Sequence, residues 1–244
     1  MLIFAHRGAS GYAPENTLAA MEKALALGAE AIELDVHNVA GELMVFHDRR
    51  LEGKSSGKGL IHLTSRAELA GIRVGGEPIP SLWQVLEFVG GRCIINIELK
   101  GIDTVTPFLA LYPKALTELG YRSEQLLISS FNHPYLQQVK QALPHARVAP
   151  LLAGIPLDKA NIASQLNAFS LHLDIAFIDR ALIEDAHARG VRVYVYTVDD
   201  GDDIRALQQL GVDGIFSNYP DRAAEALAES RANRQGQDYS HWFE

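Results

Sequence analysis

Apolar residues along the chain fall into two alternating textures. Short runs of four to eight residues occupy positions 2–6, 31–36, 43–47, 93–99, 126–130, 147–152, 169–173, 191–198 and 214–217. Their length and their content of Val, Ile, Leu and Phe predict strands. Stretches between them carry helical spacing. Leu18, Met21 and Leu25 fall at i, i+3 and i+7, with Asn16 as the expected N-cap and Gly28 as the stop. Leu82, Val85, Leu86 and Val89 repeat the pattern behind Ser81 and end at Gly90-Gly91. Residues 183–188 are closed by Gly190, and Ile204, Leu207 and Leu210 by Gly211.

Strands that alternate with helices pair in parallel through right-handed crossovers. With run 43–47 paired beside the second strand as an extension, eight runs remain, and eight strand–helix units in 244 residues match a (β/α)8 TIM barrel of the α/β class. An open doubly wound sheet is expected to show a Gly-rich phosphate-binding turn after its first strand, and none is present. The barrel is expected to occupy residues 1–230 as a single domain. Residues 48–80 break the alternation with six glycines and leave room for at most one short helix near 65–70, which predicts a small insertion or lid over the barrel top. Residues 231–244 form a tail that is polar up to Tyr239 and then carries His241, Trp242 and Phe243.

Composition narrows the possibilities. The chain is 48% hydrophobic and 21% charged, which excludes a disordered tail protein, a collagen-like fibre and a disulfide-stapled miniprotein. A net charge of -8 with no Lys/Arg-rich run repels nucleic acid and anionic membrane surfaces, so neither is an expected partner. Cys93 is the single cysteine and reads as a small buried hydrophobe. The apolar opening at residues 1–5 is too short for a signal-peptide core, and no run of about 18 apolar residues occurs, so no membrane insertion and a cytoplasmic location are expected.

Candidate chemistry collects at strand ends, where such barrels place their reactive groups. Glu33 and Asp35 stand two apart on a strand and project from one face, about 6.6 Å apart along it. Ile32, Leu34 and Val36 then face the helices, so both carboxylates face the barrel interior. On the next strand Asn96, Glu98 and Lys100 share a face, which lets Glu98 join them. Three hard oxygen donors with room for water and substrate suit Mg²⁺ or Ca²⁺ and suit zinc poorly. A buried ion-pair network, with Lys100 and Arg7 neutralising the acids, is the alternative reading. His6 and His47 each close a strand-like run beside this cluster and can act as an acid/base pair. Arg7 offers a planar fork suited to phosphate. The remaining histidines, at 37, 62, 133, 145, 172, 187 and 241, lack such neighbours and read as surface or satisfied residues, with His172 in a late strand set apart for inspection.

At these residues the sequence resembles the glycerophosphodiester phosphodiesterase family. The matching pieces are His6-Arg7-Gly8-Ala9, Pro14-Glu15-Asn16-Thr17, Glu33-Leu34-Asp35-Val36, Val45-Phe46-His47-Asp48 and Ile97-Glu98-Leu99-Lys100. Ile79-Pro80-Ser81-Leu82, Ser129-Ser130-Phe131, Val195-Tyr196-Thr197-Val198 and Gly214-Ile215-Phe216-Ser217 follow in the family's order. The resemblance implies a barrel with a small insertion after the His-Asp pair, and hydrolysis of glycerophosphodiesters such as glycerophosphocholine or glycerophosphoethanolamine to sn-glycerol 3-phosphate and an alcohol. It implies one divalent cation at Glu33, Asp35 and Glu98, an acid/base pair at His6 and His47, phosphate contacts from Arg7 and Lys100, and a pocket for glycerol shaped by Phe131 and Tyr196. Lys54-Ser55-Ser56, Tyr196 and Ser217-Asn218 depart from the commoner Arg-Thr-Thr, Trp and Thr-Asp, and bear on pocket shape and alcohol preference. A phospholipase-type lyase or lysophospholipase D is an alternative that needs an apolar entrance, and the insertion offers only scattered apolar residues. A barrel that binds metal or phosphate without catalysis is the other, and it leaves both histidines without a task.

Overall fold

A computed structural model describes residues 1–232, 238–239 and 241–243. Part of the expected tail, residues 233–237, 240 and 244, lies outside the described residues. The strands are β1 (Leu2–Ala5), β2 (Ala31–Val39), β3 (Glu42–Val45), β4 (Arg73–Val74), β5 (Glu77–Pro78), β6 (Ile94–Leu99), β7 (Leu126–Ser130), β8 (Arg147–Leu152), β9 (Ser170–Asp174), β10 (Arg192–Tyr196) and β11 (Gly214–Ser217). The helices are α1 (Leu18–Ala26), α2 (Arg66–Leu69), α3 (Leu82–Val89), α4 (Val105–Glu118), α5 (His133–Ala142), α6 (Asn161–Gln165), α7 (Arg180–Ala188), α8 (Gly201–Leu210) and α9 (Pro220–Ala232).

Eight parallel strands run β1-β2-β6-β7-β8-β9-β10-β11, and β11 returns to β1 with Leu2 opposite Gly214 and Phe4 opposite Phe216. This closed ring is the (β/α)8 barrel that the alternation predicts. β3 pairs antiparallel with the far end of β2, Val36 opposite Val45, so run 43–47 is an extension and not a ninth barrel strand.

The period-2 pattern sorts side chains to two cores. Ile32, Leu34, Val36, Ile95, Ile97 and Leu99 face outward and pack with Met21 and Ala24 of α1 and Leu82, Val85 and Leu86 of α3. Inside the ring, Phe4, Leu127, Ala149, Tyr194 and Phe216 pack together, with Phe4 stacked on Phe216 at 4.7 Å between centroids. Further toward the C-terminal ends of β2 and β6 the interior positions turn polar, with Glu33, Asp35, Asn96 and Glu98 all buried. The apolar plug below gives these polar groups a rigid floor, and the loops above give access.

Residues 48–80 have a small core of their own, in which Leu51, Ile61, Leu69, Val74 and Ile79 pack with Val39 and Phe46. Its short helix α2 carries a Ser65–Glu68 capping box, and β4 and β5 pair as a two-stranded ladder. One cap differs from expectation. Thr17, not Asn16, caps α1, its hydroxyl accepting from the Ala20 N–H at 3.3 Å. Asn16 sits at φ 60 and is drawn away to the polar interior. Of the tail's aromatics, Tyr239 is buried edge-on against Trp242 and its hydroxyl donates to Asp202 of α8. The Phe243 carbonyl accepts the Arg180 N–H at 3.1 Å. Among the described residues, no helix is long and apolar enough to cross a membrane.

Candidate active site

The register of β2 against β6 sets Glu33 opposite Asn96 and Asp35 opposite Glu98. One oxygen from each of Glu33, Asp35 and Glu98 lies within 4.8 Å of the other two. Lys100 Nζ is 3.1 Å from Glu98 Oε1 and 3.7 Å from Asp35 Oδ1. Arg7 Nε is 3.4 Å from Asp35 Oδ2, while its Nη1 donates to Glu15 at 3.0 Å. Glu33 accepts the Arg7 backbone N–H at 2.9 Å and has His6 Nε2 at 3.9 Å. Three buried carboxylates thus face two cations, and Glu15 draws on one of them. Asp35, between both cations, is held below the usual carboxylate range despite its burial, with Lys100 the stronger influence and Arg7 next. Burial and the repulsion of Asp35 push Glu98 up to about 7, and burial with the repulsion of Asp35 and Glu98 pushes Glu33 well up. The cluster is short of positive charge, all its donors are oxygen, and its spacing is compact. These features fit a hard divalent cation better than a closed ion-pair network.

Two residues on the first loop hold unusual backbone angles to serve this cluster. Arg7 (φ 55) and Asn16 (φ 60) are both left-handed, a conformation that surrounding contacts must maintain. Arg7 aims its N–H at Glu33, and Asn16 Nδ2 donates to Asp35 Oδ2 at 2.9 Å. Gly8 follows at φ 78, where a Cβ would lie 2.6 Å from the Ala20 carbonyl carbon, so α1 can approach only a glycine.

His6 follows β1, and its Nδ1 meets Asn218 Oδ1 at 2.8 Å. The Asn218 amide is oriented by Asp199, which accepts from Nδ2 at 2.6 Å, so Oδ1 must face His6. His6 therefore carries its proton on Nδ1 and turns a lone pair at Nε2 toward Glu33. His47 uses the same arrangement, its Nδ1 donating to Asp48 Oδ1, and His37 Nε2 donates to the His47 carbonyl at 3.1 Å. Burial, then the neighbouring Arg7, lowers His6 to about 4, and burial lowers His47 as well. The His6 ring is neutral near pH 7.

A cavity of about 310 Å³ opens at this end of the barrel. His6, Arg7, Glu33, His47, Glu98, Lys100, Phe131 and Tyr196 line it; of the nine site residues read from the sequence only Asp35 does not, being sealed behind its neighbours at 1% exposure. Phe131 and Tyr196 meet edge to face at 6.1 Å, and Tyr196 is fixed by donating its hydroxyl to the Leu152 carbonyl at 2.9 Å. Lys100 Nζ lies 5.8 Å from the Phe131 ring centre.

The sequence profile of the glycerophosphoryl diester phosphodiesterase family matches residues 6–222. The chain belongs to this family. A glycerophosphodiester phosphodiesterase of Caldanaerobacter subterraneus subsp. tengcongensis is 35% identical over 237 residues, covering 90% of this chain and 95% of that one. One from Bacillus altitudinis is 34% identical over 242 residues, with 94% and 99% covered. A solved Oleispira antarctica phosphodiesterase, in complex with the product sn-glycerol-3-phosphate, superimposes with a TM-score of 0.86 at 30% identity, covering 93% of this chain and 97% of that one. Membership makes the chain a phosphodiesterase, and the compact carboxylate cluster is a group that could hold a metal ion.

Several supporting residues escape a reading by strand ends alone. Asn16 lies within a fragment that matches the family but reads locally as a helix cap. Asn218 is 212 residues away from His6 along the chain and meets it only because β11 closes on β1. His37 reads from the sequence as a surface or satisfied residue, and His172 as the one late-strand histidine to inspect. His37 in fact braces the His47 backbone, and His172 lines the cavity.

Proposed function

We propose that the enzyme hydrolyses glycerophosphodiesters, such as glycerophosphocholine or glycerophosphoethanolamine, to sn-glycerol 3-phosphate and the free alcohol. Glu33, Asp35 and Glu98 would hold one divalent cation, Mg²⁺ or Ca²⁺, and His6 and His47 are the acid/base pair. The observation that carries this reading is the shared cavity. Two histidines, each held at Nδ1 by Asn218 or Asp48, stand beside a cation-deficient carboxylate trio and two basic side chains. The Oleispira relative, with product bound, supports the same substrate class.

The cation, when bound, supplies charge neutralisation for the phosphate oxygens. The chain's own residues do the rest. Lys100 and Arg7 bind and orient the phosphate from the cavity wall. Phe131 and Tyr196 enclose the apolar edge of the glycerol. One histidine, with its Nε2 unprotonated, takes the proton of the attacking hydroxyl as the new P–O bond forms, and the other, entering the step as an imidazolium, delivers its Nε2 proton to the alcohol oxygen as the old P–O bond breaks. Asn218 and Asp48 hold both rings at Nδ1, so that protons are exchanged at Nε2. The lone cysteine and the net negative charge support a cytoplasmic enzyme that binds neither nucleic acid nor membrane.

Incubation of the protein with glycerophosphocholine and Mg²⁺ or Ca²⁺, coupled to glycerol 3-phosphate dehydrogenase, tests the reading. Phosphorus NMR during turnover separates direct attack by water from a cyclic phosphate formed by the glycerol hydroxyl. A parallel arm with lysophosphatidylcholine tests acylated substrates, since Phe131, Ile155, Leu157 and Phe177 are exposed on the loops after β7, β8 and β9.

A further inference from the structure

Around the ring, β9 stands four strands from β2 in either direction, so His172 of β9 lies across the barrel from the carboxylates. His172 is fully buried, yet it lines the cavity. Its Nε2 lies 3.0 Å from Ser170 Oγ, and its ring packs against Tyr194 at 5.4 Å and Phe216 at 5.0 Å. Its Nδ1 has no hydrogen-bond partner among the described residues. Asn96, which also lines the cavity, donates through Nδ2 to Ser129 Oγ at 3.0 Å, and its Oδ1 is likewise without a partner. Unpaired polar atoms are rare in a protein interior because burial without a partner is costly. Two of them on one cavity mark a place built to receive something polar.

The chemistry of the pair defines what that is. Burial lowers His172 to about 3, so the ring is neutral at any ordinary pH. A neutral imidazole nitrogen and an amide oxygen match a hydroxyl, which both donates and accepts. They offer nothing to a quaternary ammonium group, which does neither. The phosphate belongs with Lys100 and Arg7 near β1 and β6, and Phe216 and Leu151 close the cavity beside His172. The end of the substrate pointing away from the phosphate into this closed side must be short and polar.

We propose that His172, with Asn96, forms the subsite for the glycerol hydroxyl farthest from the phosphate, and that this contact sets the preference for glycerol over related diols. The subsite rests on the glycerophosphodiesterase reading and deepens it. A site that hydrogen-bonds a hydroxyl rejects an analogue lacking it far more strongly than an apolar pocket can.

The test compares glycerophosphocholine with the analogue whose terminal CH₂OH is replaced by CH₃. Wild-type kcat/KM is expected to favour glycerophosphocholine by at least about tenfold. His172→Phe keeps an aromatic ring between Tyr194 and Phe216, and should bring that ratio within about threefold of unity. His172→Gln restores hydrogen-bonding capacity and should recover part of the preference. Without any substitution, ¹⁵N NMR of the His172 ring should shift on adding sn-glycerol 3-phosphate and stay in place on adding propane-1,2-diol 1-phosphate. A folded His172→Phe enzyme that discriminates as sharply as wild type, or His172 signals unmoved by sn-glycerol 3-phosphate in an active enzyme, overturns the subsite and leaves the reaction class standing. Failure of the wild type to turn over glycerophosphocholine with any divalent cation overturns the reaction class, and the subsite with it.

Discussion

Asn218 Oδ1 accepts the His6 Nδ1 proton at 2.8 Å, joining the last barrel strand's loop to the first. Ser10 Oγ donates to the same oxygen at 2.7 Å, and Asp199 fixes the amide from behind. A neutral amide thus selects the His6 tautomer without adding charge beside an already acidic cluster. Asn218→Leu releases that selection. The expected result is a fall in kcat of about 10- to 100-fold, with little change in metal affinity. Steady-state kinetics with a metal titration of the variant check both parts.

Metal binding should be visible as stability. A ligand at a hundred times its dissociation constant adds about 2.7 kcal/mol to a folded protein. For a chain of this size that corresponds to roughly 5–10 °C in melting temperature. Mg²⁺ or Ca²⁺ should raise the wild-type melting point by this order, and Glu33→Gln or Glu98→Gln should remove most of the rise. Differential scanning fluorimetry with and without a chelator reads the effect.

Acid should unfold the protein partly through His172. Its folded value of about 3 lies below the ordinary histidine value of 6.5, so the unfolded chain binds more protons between these limits. The stability tied to the neutral ring is complete above about pH 6.5 and is lost as pH falls toward 3. By pH 4.5 the loss amounts to about 2–3 kcal/mol. The groups against the ring are Ser170, Tyr194 and Phe216, none of them charged in this range. His172→Phe should therefore lose less stability than wild type between pH 7 and 4.5, measured by urea denaturation at both values.

Gly8→Ala should damage both fold and site. Gly8 is left-handed, and an added Cβ would press on the backbone of Ala20 in α1. The expected cost is about 2–4 kcal/mol of stability. Arg7, next in line, would then lose its aim at Glu33, so activity should fall beyond what the melting point alone explains.

How far the sequence reveals this molecule depends on the range of the interactions. Barrel strands are legible because each pairs its period-2 pattern with a neighbour, and Glu33, Asp35 and Glu98 are legible because polar residues on inward faces conflict with that pattern. Helices with strong caps, such as α3 with Ser81 and Gly90, are legible for the same local reason. α4 is not, since it begins without a side-chain cap and carries Pro107 and Pro113. Asn16 misleads because an Asn before a helix ordinarily caps it, and nothing local announces a left-handed residue turned toward Asp35. Asn218 and His172 act across the closed ring, and only the ring's closure brings them to the site.

The acid/base role of His6 and His47 beside a metal-dependent carboxylate cluster is tested most directly by one coupled assay. Glycerol 3-phosphate release from glycerophosphocholine should require Mg²⁺ or Ca²⁺ in the wild type. It should fall by at least about a thousandfold in His47→Ala, with the melting point and the metal-induced stabilisation retained. Release that persists in excess chelator, or a His47→Ala enzyme that turns over at the wild-type rate, would contradict it.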